Sequence, residues 1–158
     1  MQLGHKVCAV CGTEKPVEAF PSRRGATCSV CNGRLNRERH GRSPEVWCSY
    51  LVVQAKSNAK KTGREFDITG EQVYELWEKQ GGLCAMTGMP MQHHPAYSDM
   101  NASMDRKEGS IGYLIENVQL VCWRINEMKN DQPEHQLLWW ARALVANDKK
   151  HRRSSEEA

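Results

Sequence analysis

Asp105, Arg106, Asn117 and Asn126 fall within one stretch, NASMDRKEGSIGYLIENVQLVCWRINEMKND, from Asn101 to Asp131. Asp105 sits at the end of a strand-like run and Asn126 on the helical segment that follows. One carboxylate and one amide oxygen can therefore meet a hard cation such as Mg²⁺, leaving positions for water and an anion. Arg106 cannot accept a proton at physiological pH and suits a phosphate clamp. Asn117, between a hairpin and a strand, reads as a turn residue. A different chemistry is written near the N-terminus. Cys8-Ala-Val-Cys11 and Cys28-Ser-Val-Cys31 are two C-x-x-C pairs sixteen residues apart, the spacing by which two tight turns present four thiolates to one Zn²⁺. Four cysteine ligands leave no open position, so this site reads as structural. Gly12 suits the turn, and Lys6, Lys15, Arg23 and Arg24 favour deprotonated thiols.

These residues need a scaffold, and 158 residues with 39% hydrophobic content can bury one modest core and a satellite module, not two full domains. No apolar run is long enough to span a bilayer, and the start, MQLGHKVCAVCG, lacks a basic region followed by an apolar stretch. A compact cytoplasmic protein is expected, with no membrane partner. Seven cysteines, an odd number, argue for metal-bound thiolates in a reducing compartment over a disulfide framework. Charge is unevenly spread. Residues 1–64 carry twelve Lys/Arg against four Asp/Glu, and residues 65–131 carry five against eleven. A basic arm on an acidic body suits a chain that grips a polyanion in one part and gathers carboxylates for a cation in another.

Local signals place the elements. Asn32 to Arg42 is a basic run that, as a helix, puts Arg34, Arg37 and His40 on broadly one side. Ser43-Pro44-Glu45 opens a helix ending at Gly63, with Trp47, Leu51 and Ala55 on one face and Lys56, Lys60 and Lys61 near its end. Thr69-Gly-Glu-Gln72 is a capping box ahead of Val73, Leu76 and Trp77, and Gly81-Gly82 closes that helix. His93 and His94 lie in a polar loop. Val118–Cys122 reads as a strand and Trp123–Asn130 as a short helix. A last helix from Gln132-Pro133 should pack Leu137, Leu138, Ala141, Leu144 and Val145 on the body, and the charged residues from Asn147 onward should be disordered.

GGLCAMTG, ASMDR and GYLIENVQLVCWRINEMK, in that order between Gln80 and Asn130, resemble the core of the HNH (His-Me finger, ββα-metal) endonucleases. The version is the phage type with Ser-x-Asp-Arg where others have Asp-His. The C-x-x-C-G-x-x-K-P-x-x-x-F run from Cys8 to Phe20 resembles the zinc modules that precede phage and bacterial members. The resemblance implies an α+β fold: a small ββα-metal core with flanking helices and a zinc-ribbon-like N-terminal module. It also implies a metal-dependent DNA endonuclease, phage or mobile-element encoded, of homing or restriction type, with Asp105 and Asn126 on Mg²⁺ or another divalent cation. Asn117 matches the middle Asn that braces the loop carrying the base. Arg106 stands where the family's usual His base would be. The base must then come from His93, His94, Tyr113, His40 or bulk water. Cys84-Ala-Met-Thr87 and Cys122-Trp-Arg-Ile125 keep one Cys of each pair that binds a second zinc in many relatives, so Cys84 and Cys122 are expected to pack as small hydrophobes.

The expected organisation is a zinc module with a basic run (1–42), a helical DNA-facing linker region (43–80), the nuclease core (81–131), a packing helix (132–147) and a disordered tail (148–158). Arg34, Arg37, Lys56, Lys60, Lys61, Arg64 and Lys129 are the expected contacts to double-stranded DNA. Two copies acting as a homodimer would suit double-strand cutting. Two alternatives compete. One is a zinc-containing DNA-binding protein whose catalysis Arg106 has ended, and the other is a protein-interaction adaptor using Trp139 and Trp140.

Overall fold

The computed structural model describes residues 4–22, 24–93 and 98–156; Arg23 and His94 lie outside them. The elements are β1 (His5–Val7), β2 (Glu14–Pro16), α1 (Ser29–His40), α2 (Pro44–Thr62), β3 (Phe66–Asp67), α3 (Gly70–Lys79), β4 (Ala102–Arg106), β5 (Tyr113–Leu114), β6 (Val118–Cys122), α4 (Trp123–Lys129) and α5 (Glu134–Glu156). The fold is α+β, and its centre is a ββα unit: β4 pairs antiparallel with β6, and α4 begins at the residue after β6.

The two long helices form where their caps predict. Ser43 Oγ accepts the Val46 N–H at 3.3 Å with Pro44 in the first position, and α2 stops at Gly63 in the left-handed conformation, which glycine adopts without a Cβ penalty. Thr69 and Gln72 close a reciprocal capping box at the start of α3. Residues 43–80 are not a linker, however. Trp47, Cys48, Leu51 and Ala55 of α2 and Val73 and Trp77 of α3 join Met104, Val118, Leu120 and Val121 in one buried cluster. The β4–β6 pair, two strands of five residues each, exposes too much apolar surface to stand alone, and these helices cover it. Trp47 Nε1 also donates to the Ala102 carbonyl at 3.0 Å, tying α2 to β4.

Three further contacts fix the ββα unit. Gln80, just after α3, accepts the Leu120 N–H at 3.0 Å and donates to the carbonyls of Leu120 and Leu83. β3 pairs parallel with β5, bringing Phe66 beside Tyr113. The two backbones approach so closely that a Cβ on Gly112 would collide with the Glu65 carbonyl, so no other residue fits there. The N-terminal module has its own small cluster of Cys8, Phe20, Cys28 and Cys31.

The C-terminal helix departs from expectation. Leu137 and Ala141 are half-buried, but Leu144 is 67% and Val145 54% exposed, as are Trp139 and Trp140 at 60% and 53%. α5 also runs on to Glu156, through the expected disordered tail.

Candidate active site

The strand register builds the site. Asp105 lies across from Gln119 in the β4–β6 ladder and is 2% exposed. Its Oδ2 accepts from Gln119 Nε2 at 2.9 Å and its Oδ1 from Lys129 Nζ at 3.0 Å. Lys129 is fully buried and also donates to the Arg106 carbonyl at 2.7 Å. Lys129 was expected at a DNA phosphate, and here the expectation fails. Three residues beyond Asn126 on a helix, it shares that residue's inward face, and a buried ammonium requires a counter-charge. Asn126 Nδ2 donates to Ser103 Oγ at 2.7 Å, which orients the amide and leaves Oδ1 as its acceptor.

Asp105 and Asn126 line the same cavity, about 440 Å³, with Arg106, Tyr113, Glu127 and Asp131 also in its wall. A groove of about 350 Å³ along α2 shares Asn58, Met104, Tyr113 and Asn126 with it, so the two form one trough. Each carboxylate oxygen of Asp105 carries a further lone pair beyond its protein partner. One carboxylate and one amide oxygen suit a cation that keeps most of its water and takes phosphate oxygens. The pair therefore offers two oxygen donors that could hold a hard divalent cation.

Arg106 is 8% exposed and heavily engaged. Its guanidinium donates to the Gly109 carbonyl at 2.6 Å, pairs with the Asp131 carboxylate and lies 5.2 Å from the centre of the Tyr113 ring. The Tyr113 hydroxyl accepts from Asn58 Nδ2 at 3.0 Å, which leaves its own proton for an acceptor in the trough. Asn117 braces the loop after β4: its Nδ2 donates to the Gly112 carbonyl at 2.9 Å and its Oδ1 accepts the Glu108 N–H at 3.1 Å.

His93 and His40 stand elsewhere. His93 Nδ1 lies 3.0 Å from the Gly41 carbonyl, with the ring edge-on to Trp77. His40 stacks on Tyr50 at 4.5 Å. Neither is among the residues that line the cavity of Asp105; His94 is outside the described residues. Tyr113 is the weighed candidate that does line it.

No protein-family model matches the chain, and no curated protein matches it. Among solved structures, the chain is similar to the rare-cutting HNH restriction endonuclease PacI, over 90% of this chain and 94% of that one, at 16% identity and a TM-score of 0.45.

The Sγ atoms of Cys8, Cys11, Cys28 and Cys31 all lie within 4.8 Å of one another, close enough to share a tetrahedral ion such as zinc. Backbone N–H groups of Cys28 and Cys11 pull the Cys8 thiol down to about 6, while burial pushes Cys31 up to about 12. Left alone, Cys8 and Cys31 ionise unequally, and a dication bound at the cluster favours its thiolates. Lys15, its pKa raised chiefly by the charge of Cys28, contributes in the same sense. Cys84 and Cys122 are buried in the main core, with the Cys122 N–H 3.3 Å from Cys84 Sγ.

Of the residues expected on DNA, Lys61 lines the groove along α2. Lys56, Lys60 and Arg37 are exposed. Arg34 pairs with Glu38 at 2.8 Å, and Arg64 with Asp131 at 3.3 Å. No helix among the described residues is long and apolar enough to cross a membrane. Sequence reasoning missed Gln119, Asn58, Glu127 and Asp131. Gln119 carried a usable signal: any hairpin aligned on Asp105 would have faced it.

Proposed function

We propose that the chain is a metal-dependent endonuclease that hydrolyses DNA phosphodiester bonds, with its centre at Asp105 and Asn126. The observation that carries this reading is the shared polar cavity, in which a buried carboxylate at a strand end and an oriented amide on the next helix face the same space. The ASMDR and GYLIENVQLVCWRINEMK motifs fall on these elements. A divalent cation on Asp105 and Asn126 would supply charge neutralisation at the phosphate oxygens. Lys129 and Gln119 hold Asp105 in place, and Arg106 adds positive charge at the cavity wall. Tyr113, its phenol oriented by Asn58, keeps its own proton to donate to a phosphoryl oxygen, and the attacking water gives its proton to bulk water. The four-cysteine module holds zinc and folds the basic N-terminal arm, which grips duplex DNA; a phage or mobile-element origin and a cytoplasmic site of action fit this role. Two copies would be needed to cut both strands at once.

The test incubates wild type and Asp105→Ala with supercoiled and linear duplex DNA and Mg²⁺ or Mn²⁺. Wild type should cut, and the variant should be slower by about a hundredfold or more. Equal cutting by both, or none by wild type across several substrates and ions, refutes the reading. A second reading, a DNA-binding protein without cleavage, is favoured by Arg106 at the usual base position and by Lys129 already neutralising Asp105. Binding that weakens steeply with salt, without cutting, would select it.

A further inference from the structure

Asp131 does something that the proposed chemistry does not use. Its Oδ1 pairs with Arg106 Nη2, and its Oδ2 lies 3.3 Å from Arg64 Nη2. Two oxygens of one anion thus each meet a separate guanidinium. The two non-bridging oxygens of a phosphodiester would bind a pair of arginines in the same way. The carboxylate also sits in the wall of the cavity that holds Asp105 and Asn126. We propose that Arg64 and Arg106 form a seat for a DNA backbone phosphate, and that Asp131 fills this seat in the free protein and swings out when DNA arrives. The inference rests on the nuclease reading and adds a self-inhibiting contact to it.

The mobile and fixed parts are arranged for such an exchange. Arg106 has anchors besides Asp131, in the Gly109 carbonyl and the Tyr113 ring. Arg64 follows the left-handed Gly63, and its backbone N–H is bound to the Ala59 carbonyl at 3.0 Å. The backbone of Asp131 is held as well. It packs on Gly109 so closely that a Cβ there would lie 2.6 Å from the Asp131 carbonyl oxygen. Asn130 just before it takes a positive φ of 52°, a conformation uncommon for a side chain larger than hydrogen. That turn aims the carboxylate back over Arg106. The Asp131 side chain itself is 54% exposed, so it can rotate into water without moving the fold. A backbone phosphate arrives with the other contacts that a duplex makes along the basic arm, so it displaces the carboxylate; a free anion without those contacts does not. The contact therefore lowers affinity for every anion at this seat, DNA included, by the worth of one partly exposed ion pair.

The experiment measures binding of a labelled duplex oligonucleotide by fluorescence anisotropy at low salt, with no added divalent cation and no chelator. It compares wild type, Asp131→Asn, Arg64→Gln, the double variant and Glu134→Gln, an exposed acid three residues on that controls for loss of one negative charge. Asp131→Asn should bind about fivefold tighter than wild type, the upper range for one partly exposed ion pair, and clearly tighter than Glu134→Gln. In the Arg64→Gln background the gain from Asp131→Asn should shrink to that of the charge control. Asp131→Ser repeats the test should the amide keep the bridge. A gain no larger than that of Glu134→Gln, a gain unchanged without Arg64, or weaker binding by both Asp131 variants overturns the inference while the nuclease reading stands. A wild type that ignores the duplex removes both.

Discussion

Replacing Lys129 by Met tests the internal logic of the site without assuming any activity. The ammonium is fully buried, 3.0 Å from Asp105 Oδ1, and Asp105 is itself 2% exposed. With Met in place, the carboxylate retains Gln119 as its one side-chain donor, a neutral one. Breaking a buried ion pair by removing one partner costs about 3–5 kcal/mol, because the stranded charge has no water to return to. Against a total stability of about 5–15 kcal/mol, and with about 2–4 °C per kcal/mol for a chain of this size, the melting temperature should fall by roughly 6–20 °C. Converting Asp105 to Asn in the same background removes the stranded charge and keeps an oxygen for Gln119. Lys129→Met/Asp105→Asn should therefore recover at least about half of the loss. Thermal melts followed by circular dichroism, with urea titrations as a check, read both steps. A Lys129→Met protein melting within about 2 °C of wild type refutes the reasoning. So does a double variant melting no higher than the single one. A corollary concerns metal: added Mg²⁺ should raise the melting temperature of Lys129→Met more than that of wild type, since a cation then meets an uncompensated carboxylate.

Two other outcomes follow. A chelator should release metal from the four-cysteine module, whose cluster among the described residues adds Phe20 and the half-buried Ala19 to three of the cysteines; limited proteolysis with mass spectrometry should then find cuts between residues 4 and 40 while the main core persists. His40 has its pKa held below the usual value, first by burial and second by the charge of Arg39, so the folded state takes up that proton less readily than the unfolded one. Its contribution to stability is complete above the ordinary histidine value of about 6.5 and is lost as pH falls through the lower folded value. His40→Phe should therefore show a shallower fall in melting temperature between about pH 7.5 and pH 5.

Where a single residue type fixes a local geometry, the sequence was legible. The serine, threonine and glycine signals around α2 and α3 set helix ends to within a residue or two, because caps act over one turn. The paired cysteines brought four sulfurs together because C-x-x-C leaves few alternatives. Asp105 and Asn126 came into one cavity because strand, turn and helix follow one another without a long connection. What stayed hidden depended on contacts distant in sequence. Lys129 gave no sign that it would point inward, since a helix-end lysine is as often solvated. Arg106 and Arg64 look like free cations until Asp131 is brought between them by the turn at Asn130. The helices of residues 43–80 read as a basic, DNA-facing region because charge is visible in sequence and partnership is not; their apolar faces had no other sheet to cover. For α5 the apolar pattern was visible, but period alone does not supply a surface to bury it.

The Gln80 side chain gives the central sheet a property that its two strands do not. A lone antiparallel pair leaves main-chain groups unpaired along both outer edges, and those groups recruit further strands from neighbouring molecules. Here one carboxamide accepts the Leu120 N–H and donates to the Leu120 carbonyl, which also receives the Ala85 N–H at 3.0 Å. The amide imitates a third strand for one residue, in the middle of β6, where a growing sheet would need to continue. On this edge, a residue just after α3 and not a longer sheet closes the ladder at Leu120.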